Sequence, residues 1–156
     1  MAARPASVRS AALALLTRRD YTTAELRKKL LDREYAGPDV DEIVRSLTAA
    51  GLLNDARVAA AHVRTAAGIK GRGRWRIQRE LEARGIDRAI VRDVIAGLSA
   101  DDESAAIRRF LTRTRLPVAP TAPQRRRVFQ QLVRRGFSIQ DIDRALGRHG
   151  GDDESA

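Results

Sequence analysis

Arg79-Glu80-Leu81-Glu82-Ala83-Arg84-Gly85-Ile86-Asp87 recurs fifty-one residues later as Gln130-Gln131-Leu132-Val133-Arg134-Arg135-Gly136-Phe137-Ser138. In each copy a leucine is followed four residues on by a glycine, then an apolar residue, then Asp or Ser. A helix that closes on a left-handed glycine and restarts at a short polar N-cap has this form. Gly85 and Gly136 are therefore expected to hold left-handed backbone, where a side chain costs on the order of 1–2 kcal/mol. Asp87 and Ser138 are expected to cap the helices that follow. The same offset extends outward through Leu26, Ile77 and Val128 and through Leu30, Leu81 and Leu132, and Val91/Ile95 match Ile142/Leu146. The first copy departs where Tyr35-Ala36-Gly37-Pro38 inserts about one helical turn ahead of Ile43 and Leu47. A helix-rich repeat of this length marks an array whose units bury one another's apolar faces.

Each copy reads as helix, helix, turn, helix. In the first, Ala12, Leu13, Leu15 and Leu16 begin an apolar stripe, and Thr22-Thr23-Ala24-Glu25 has capping-box spacing. Gly37-Pro38 ends that helix, Asp39 starts the next, and Gly51 closes it. In the second copy Asn54 or Asp55 caps a helix carrying Val58, Ala59, His62, Val63 and Ala66. Gly68 to Gly73 is expected as a loop before Ile77 and Leu81. The third copy opens at Asp101-Asp102-Glu103, whose charges suit a helix N-terminus, and crosses the stiff connector Leu116 to Pro123. The expected fold is all-α, with three tandem three-helix, helix-turn-helix-like repeats in an elongated, curved array. Repeats span 7–51, 52–99 and 100–149, between a disordered N-terminus (1–6) and an acidic disordered tail (150–156). The structural caps are Thr22, Glu25, Asp55, Gly85, Asp87, Gly136 and Ser138.

Composition supports the class. Apolar residues make up 43% of the 156 but aromatics only 4%, so Ala and Leu fill the core, and no alternating stretch reads as a strand. Without cysteine there is no disulfide, thiolate nucleophile or Cys-ligated zinc. No stretch has the apolar length of a signal peptide or membrane span, so a cytoplasmic location is expected. The net charge is +10, with the largest excess in residues 51–100, which suggests a polyanionic partner or a partner that holds one.

Catalysis has no foothold. His62 and His149 are the only histidines, and neither has a second ligand at metal spacing, so a structural role is expected of His62. Gly71-Arg72-Gly73 is too short for a phosphate loop. No enzyme, catalytic residue, metal or cofactor is expected. The densest binding feature is Lys70, Arg72, Arg74, Trp75, Arg76 and Arg79, at a helix start where backbone N–H groups are also free. Trp75 has two readings, an exposed anchor or a ring folded over the preceding helix. A second basic cluster joins Arg125, Arg126 and Arg127 to Arg134 and Arg135.

These motifs resemble those of the RecX family, regulators of the RecA recombinase, in order and over about residues 7–148. Leu53-Asn54-Asp55-Ala56-Arg57-Val58-Ala59 is similar to the family's Leu-Asp-Asp signature, with Asn54 in place of Asp. Gly71-x-Gly73-x-x-Arg76-Ile77-x-x-Glu80-Leu81-x-x-Arg84-Gly85-Ile86 is similar to its central motif, and Arg134-Arg135-Gly136-Phe137-Ser138 to its C-terminal one. Ala12-Leu13, Leu16, Arg19, Glu25-Leu26 and Leu30 fit its N-terminal pattern. The resemblance implies a non-enzymatic inhibitor in the groove of the RecA–single-stranded-DNA filament, with DNA nearby or weakly bound; a monomer is expected because no apolar stripe is left over for a dimer. It would limit filament growth, ATP turnover, strand exchange and the co-protease activity that triggers the DNA-damage response. The alternative is a free-standing helical DNA-binding protein with weak, non-specific, salt-sensitive binding. Against base-specific reading, Asp141 and Asp143 on the last helix would repel phosphate.

Overall fold

The structure, a computed structural model, describes residues 7–149, and the ends expected to be disordered, 1–6 and 150–156, lie outside the described residues. Among the described residues there are nine α-helices and no strand: α1 Val8–Leu16, α2 Thr23–Leu31, α3 Gly37–Ala49, α4 Asp55–Val63, α5 Arg74–Ala83, α6 Arg88–Ala96, α7 Ala100–Thr114, α8 Ala122–Arg134 and α9 Ile139–His149. They form two compact units. Of the described residues, one holds those up to Ala60 with Leu81–Val91, the other Ala61–Glu80 with those from Arg92 on.

In the first unit α1, α2 and α3 close around Ala12, Leu26, Leu30, Val40 and Leu47, all fully buried. Leu13, expected on the same stripe, is exposed. The Thr22–Glu25 capping box forms in both directions, and it does more than end a helix. The Thr22 hydroxyl also donates to the Arg84 carbonyl at 2.8 Å, while Arg84 Nε and Nη2 donate to the Glu25 carboxylate at 2.8 and 3.1 Å. Burial alone would raise the Glu25 pKa, but the Arg84 and Thr22 hydrogen bonds outweigh it and hold the carboxyl below its ordinary value. Gly85, left-handed at φ +75°, sits so close to Ala24 that a β-carbon would come within 3.0 Å of the alanine's own.

Two expected helix starts move. α3 begins at Gly37, with Pro38 in its first turn and Ala36 as an N-cap without a side-chain bond. Pro38 thus opens this helix rather than ending the one before, because a first-turn residue needs no N–H, and Asp39 lies inside. Asp55 is also not the cap of its own helix. Asn54 Oδ1 accepts from Arg57 N at 2.9 Å, whereas Asp55 Oδ1 accepts from the backbone N–H and hydroxyl of Thr23 at 2.8 and 3.2 Å. The Asp55 carboxylate therefore satisfies a free donor at the start of α2.

In the second unit α7, α8 and α9 enclose Ile107, Leu132, Phe137, Ile142 and Leu146. Ser99 caps α7 in a box with Asp102, Ser138 caps α9 by accepting from Asp141 N at 3.0 Å, and Asp87 accepts from Ala89 N at 2.8 Å at the head of α6. The segment expected to be a loop from Gly68 is helical further than that. α4 runs on as a π-helix, Arg64–Ile69, with Lys70 N bonding to Thr65 O at 3.1 Å. Its wider turn leaves Ala66 buried and Ile69 exposed.

Candidate anion-binding site

The start of α5 is a docking joint between backbones. Gly73 N donates to Arg135 O at 2.8 Å and Trp75 N to Gly136 O at 3.1 Å. Donors left over at one helix's N-terminus thus meet acceptors left over past the C-terminus of α8. The chains approach so closely that a β-carbon on Gly73 would fall within 3.0 Å of the Gly136 carbonyl, and one on Gly136 within 3.0 Å of the Arg76 backbone. Gly136 is also left-handed, at φ +91°. The backbone N–H groups expected to be free for an anion are therefore used, since Arg74 N likewise donates to Glu103 at 2.9 Å.

This joint merges the two basic clusters that stand apart in sequence. Lys70, Arg72 and Arg76 come to line one wall of an open cleft of about 550 Å³, with Gln131, Arg134 and Arg135 opposite and Phe110 between them. Arg135 Nη1 donates to Lys70 O at 3.2 Å, and its guanidinium carbon lies 4.7 Å from the centre of the Phe110 ring. Arg76 Nη1 donates to Arg134 O at 3.4 Å. Glu80 joins Arg72 at 2.7 Å, Arg76 at 3.0 Å and His62 at 2.8 Å. Burial alone would raise its pKa, but the hydrogen bonds from Arg76, His62 and Arg72 outweigh that and keep it ionised below the ordinary value. His62 is thus a satisfied partner of Glu80. Lys70, Arg134 and Arg135 form no ion pair among the described residues, so the cleft keeps a clear positive excess.

The other expected site residues lie elsewhere. Arg74 turns away into an ion pair with Glu103, whose side chain is only 4% exposed, and also donates to Leu98 O at 3.1 Å. Its guanidinium is thus engaged by groups of the chain itself. Arg125 is likewise engaged, donating to Leu146 O at 3.3 Å. Arg126 and Arg127 are exposed on α8; Arg127 shares the face of Gln131 and Arg134 by helical spacing. Trp75 is 55% exposed, so it does not fold over the preceding helix. With the exposed Arg79 it forms a stripe about 100° around α5 from Arg76 and Glu80. Among the described residues no three His, Cys, Asp or Glu side chains gather to hold a metal, and no helix is long and apolar enough to cross a membrane.

Residues 9–47 match the first three-helix domain of RecX and residues 54–95 the second. The regulatory protein RecX of Chromohalobacter salexigens is 32% identical over 147 residues, covering 94% of this chain and 95% of that one. The chain belongs to the RecX family. The regulatory protein RecX of Mycobacterium ulcerans is 35% identical over 139 residues, 86% of this chain and 80% of its own. The fold agrees with the crystal structure of RecX from Lactobacillus salivarius at a TM-score of 0.80 and 23% identity, over 91% of this chain and 94% of that one. Lys70 to Arg79 fall in the second matched domain, while Arg125 to Arg135 lie beyond both.

The exposure of Trp75 sets an expected result. Trp75→Ala should change the unfolding free energy by about 1 kcal/mol or less, against the ~3–5 kcal/mol of a buried aromatic. A urea titration followed by circular dichroism measures it, and a loss of several kcal/mol would place the ring in the core.

Proposed function

We propose that this chain is a non-enzymatic regulator of the RecA recombinase, acting as an inhibitor. It binds in the groove of the RecA–single-stranded-DNA filament and limits filament growth, ATP turnover, strand exchange and co-protease activity. The observation that carries the reading is the cleft formed by Lys70, Arg72, Arg76, Arg134 and Arg135, in a chain that covers 95% of a relative named as a regulatory protein. Arginine forks suit both carboxylate and phosphate, and a filament groove offers both. Complementary charge speeds encounter and fixes register, while the tightness of the complex rests on the contacts that follow.

The test is DNA-dependent ATP hydrolysis by the cognate RecA. Added at sub-stoichiometric to equal ratios, the protein should lower the rate while hydrolysing nothing alone. A rate unchanged at saturating protein ends the proposal. Arg76→Glu with Arg134→Glu, one residue from each wall of the cleft, should weaken inhibition about tenfold or more with melting close to wild type. Equal affinity for naked and RecA-coated strands would favour a free-standing DNA-binding protein instead.

A further inference from the structure

We infer that Glu80 is a built-in counter-ion that holds down the affinity of the cationic cleft for a phosphodiester strand, and that a bound strand takes its place on Arg72 and Arg76. Three groups converge on this one carboxylate. Oε1 lies 2.7 Å from Arg72 Nη1 and 3.0 Å from Arg76 Nε, and Oε2 lies 2.8 Å from His62 Nε2. Two guanidiniums and an imidazole around a carboxylate make an anion site, and here the chain's own side chain fills it. The α8 wall has no such occupant, since Arg134 and Arg135 meet no carboxylate among the described residues. One wall is thus partly neutralised and the other is not.

The kind of ligand follows from the layout. Arg127 and Arg134 lie two turns apart on one face of α8, and Lys70, Arg72 and Arg76 line the facing wall of the cleft, so the charge runs as a row rather than a point. A row suits a polymer with one charge per unit, and guanidiniums bind phosphate oxygens in pairs. Glu80 is 24% exposed, so it can turn to water as a phosphate arrives instead of being trapped beneath it. Its negative charge costs a strand some attraction at every encounter, which leaves naked nucleic acid weakly held. The inference shares its cleft with the function proposed above but does not depend on the recombinase, which the test leaves out.

Binding of a fluorescent oligothymidylate to the full chain, measured by anisotropy across a salt series, compares wild type with Glu80→Gln. The variant should bind on the order of fivefold tighter at low salt, the effect of removing one nearby like charge in water. Its slope of log K against log salt should be steeper by roughly 0.7, as for one more neutralised phosphate on a single strand. Equal or weaker binding by a folded Glu80→Gln would overturn the inference and make Glu80 a brace for the two arginines. Should that variant melt early, wild type answers alone: the Arg72 and Arg76 Nε–Hε resonances must shift as oligothymidylate is added, and unmoved resonances also overturn it. Tighter binding of polyglutamate than of oligothymidylate would overturn the phosphate assignment in favour of an acidic protein partner.

Discussion

Gly136→Val should lower the unfolding free energy by about 3–5 kcal/mol, enough to open the second unit at moderate temperature. Two costs combine. The backbone there is left-handed at φ +91°, which a β-branched residue resists by about 1–3 kcal/mol. The new β-carbon would also lie within 3.0 Å of the Arg76 backbone, and overpacking of this kind adds about 1–3 kcal/mol more. Backbone cannot swing aside as a flexible side chain does. To relieve the clash, the bonds from Gly73 N to Arg135 O and from Trp75 N to Gly136 O would have to lengthen. Gly73→Val separates the two costs, since it meets the same joint from the other side without the positive φ. Differential scanning calorimetry checks both, and a Gly136→Val midpoint within a degree or two of wild type would mean that the joint does not form.

Arg74→Ala should cost about 3 kcal/mol, the lower end for breaking a buried ion pair, although it removes one arginine among thirty basic residues. Its partner Glu103 is 4% exposed and takes both the Nε and the backbone N–H of Arg74. Without the guanidinium, the carboxylate stays buried beside a single amide. Arg74 is itself a third exposed, so water reaches part of the gap and the loss stays at the low end. Glu103→Gln with Arg74→Ala should recover part of the stability, because the uncompensated charge is gone. Arg79→Ala, on an exposed position of the same helix, should change stability by no more than about 0.5 kcal/mol. Chemical denaturation of the three variants decides the order. An Arg74→Ala no weaker than Arg79→Ala would return Arg74 to the surface.

How far these features could be read from the sequence depends on their range. Gly85, Gly136, Asp87, Ser138 and the Thr22–Glu25 box announced themselves because caps are local devices, set within four or five residues. The buried faces followed from helical spacing, as Leu26, Leu30, Leu81 and Leu132 show. What stayed hidden lay across long separations. Both basic clusters were visible, but their meeting depends on two glycines 63 residues apart touching through backbone, and glycine carries no side-chain signal of a partner. Gly73 reads as loop, which it is, but nothing in the sequence marks it as the point where two backbones meet. Arg74 and Arg76 are alike in sequence, and only the fold turns one inward to Glu103 and the other outward to the cleft. Glu80 had a local clue in its i, i+4 spacing from Arg76, while His62 and Arg72 reach it only once the π-helical stretch has been placed.

The grouping of Leu81–Val91 with the residues before Ala60 has a consequence for the order in which the chain is made. A ribosome delivers α1 to α3 first, yet the hydroxyl of Thr22 and the carboxylate of Glu25 find Arg84 only after α5 has emerged. Until then the first helices hold their own apolar faces together but lack the clasp that finishes the unit. The start of α5 waits longer, because its backbone partner at Gly136 follows Gly73 by 63 residues. The nascent chain thus carries an unfinished seam from the synthesis of Gly73 until that of Gly136, and a ribosome stalled between these points would expose a half-built helix pair to chaperones and proteases.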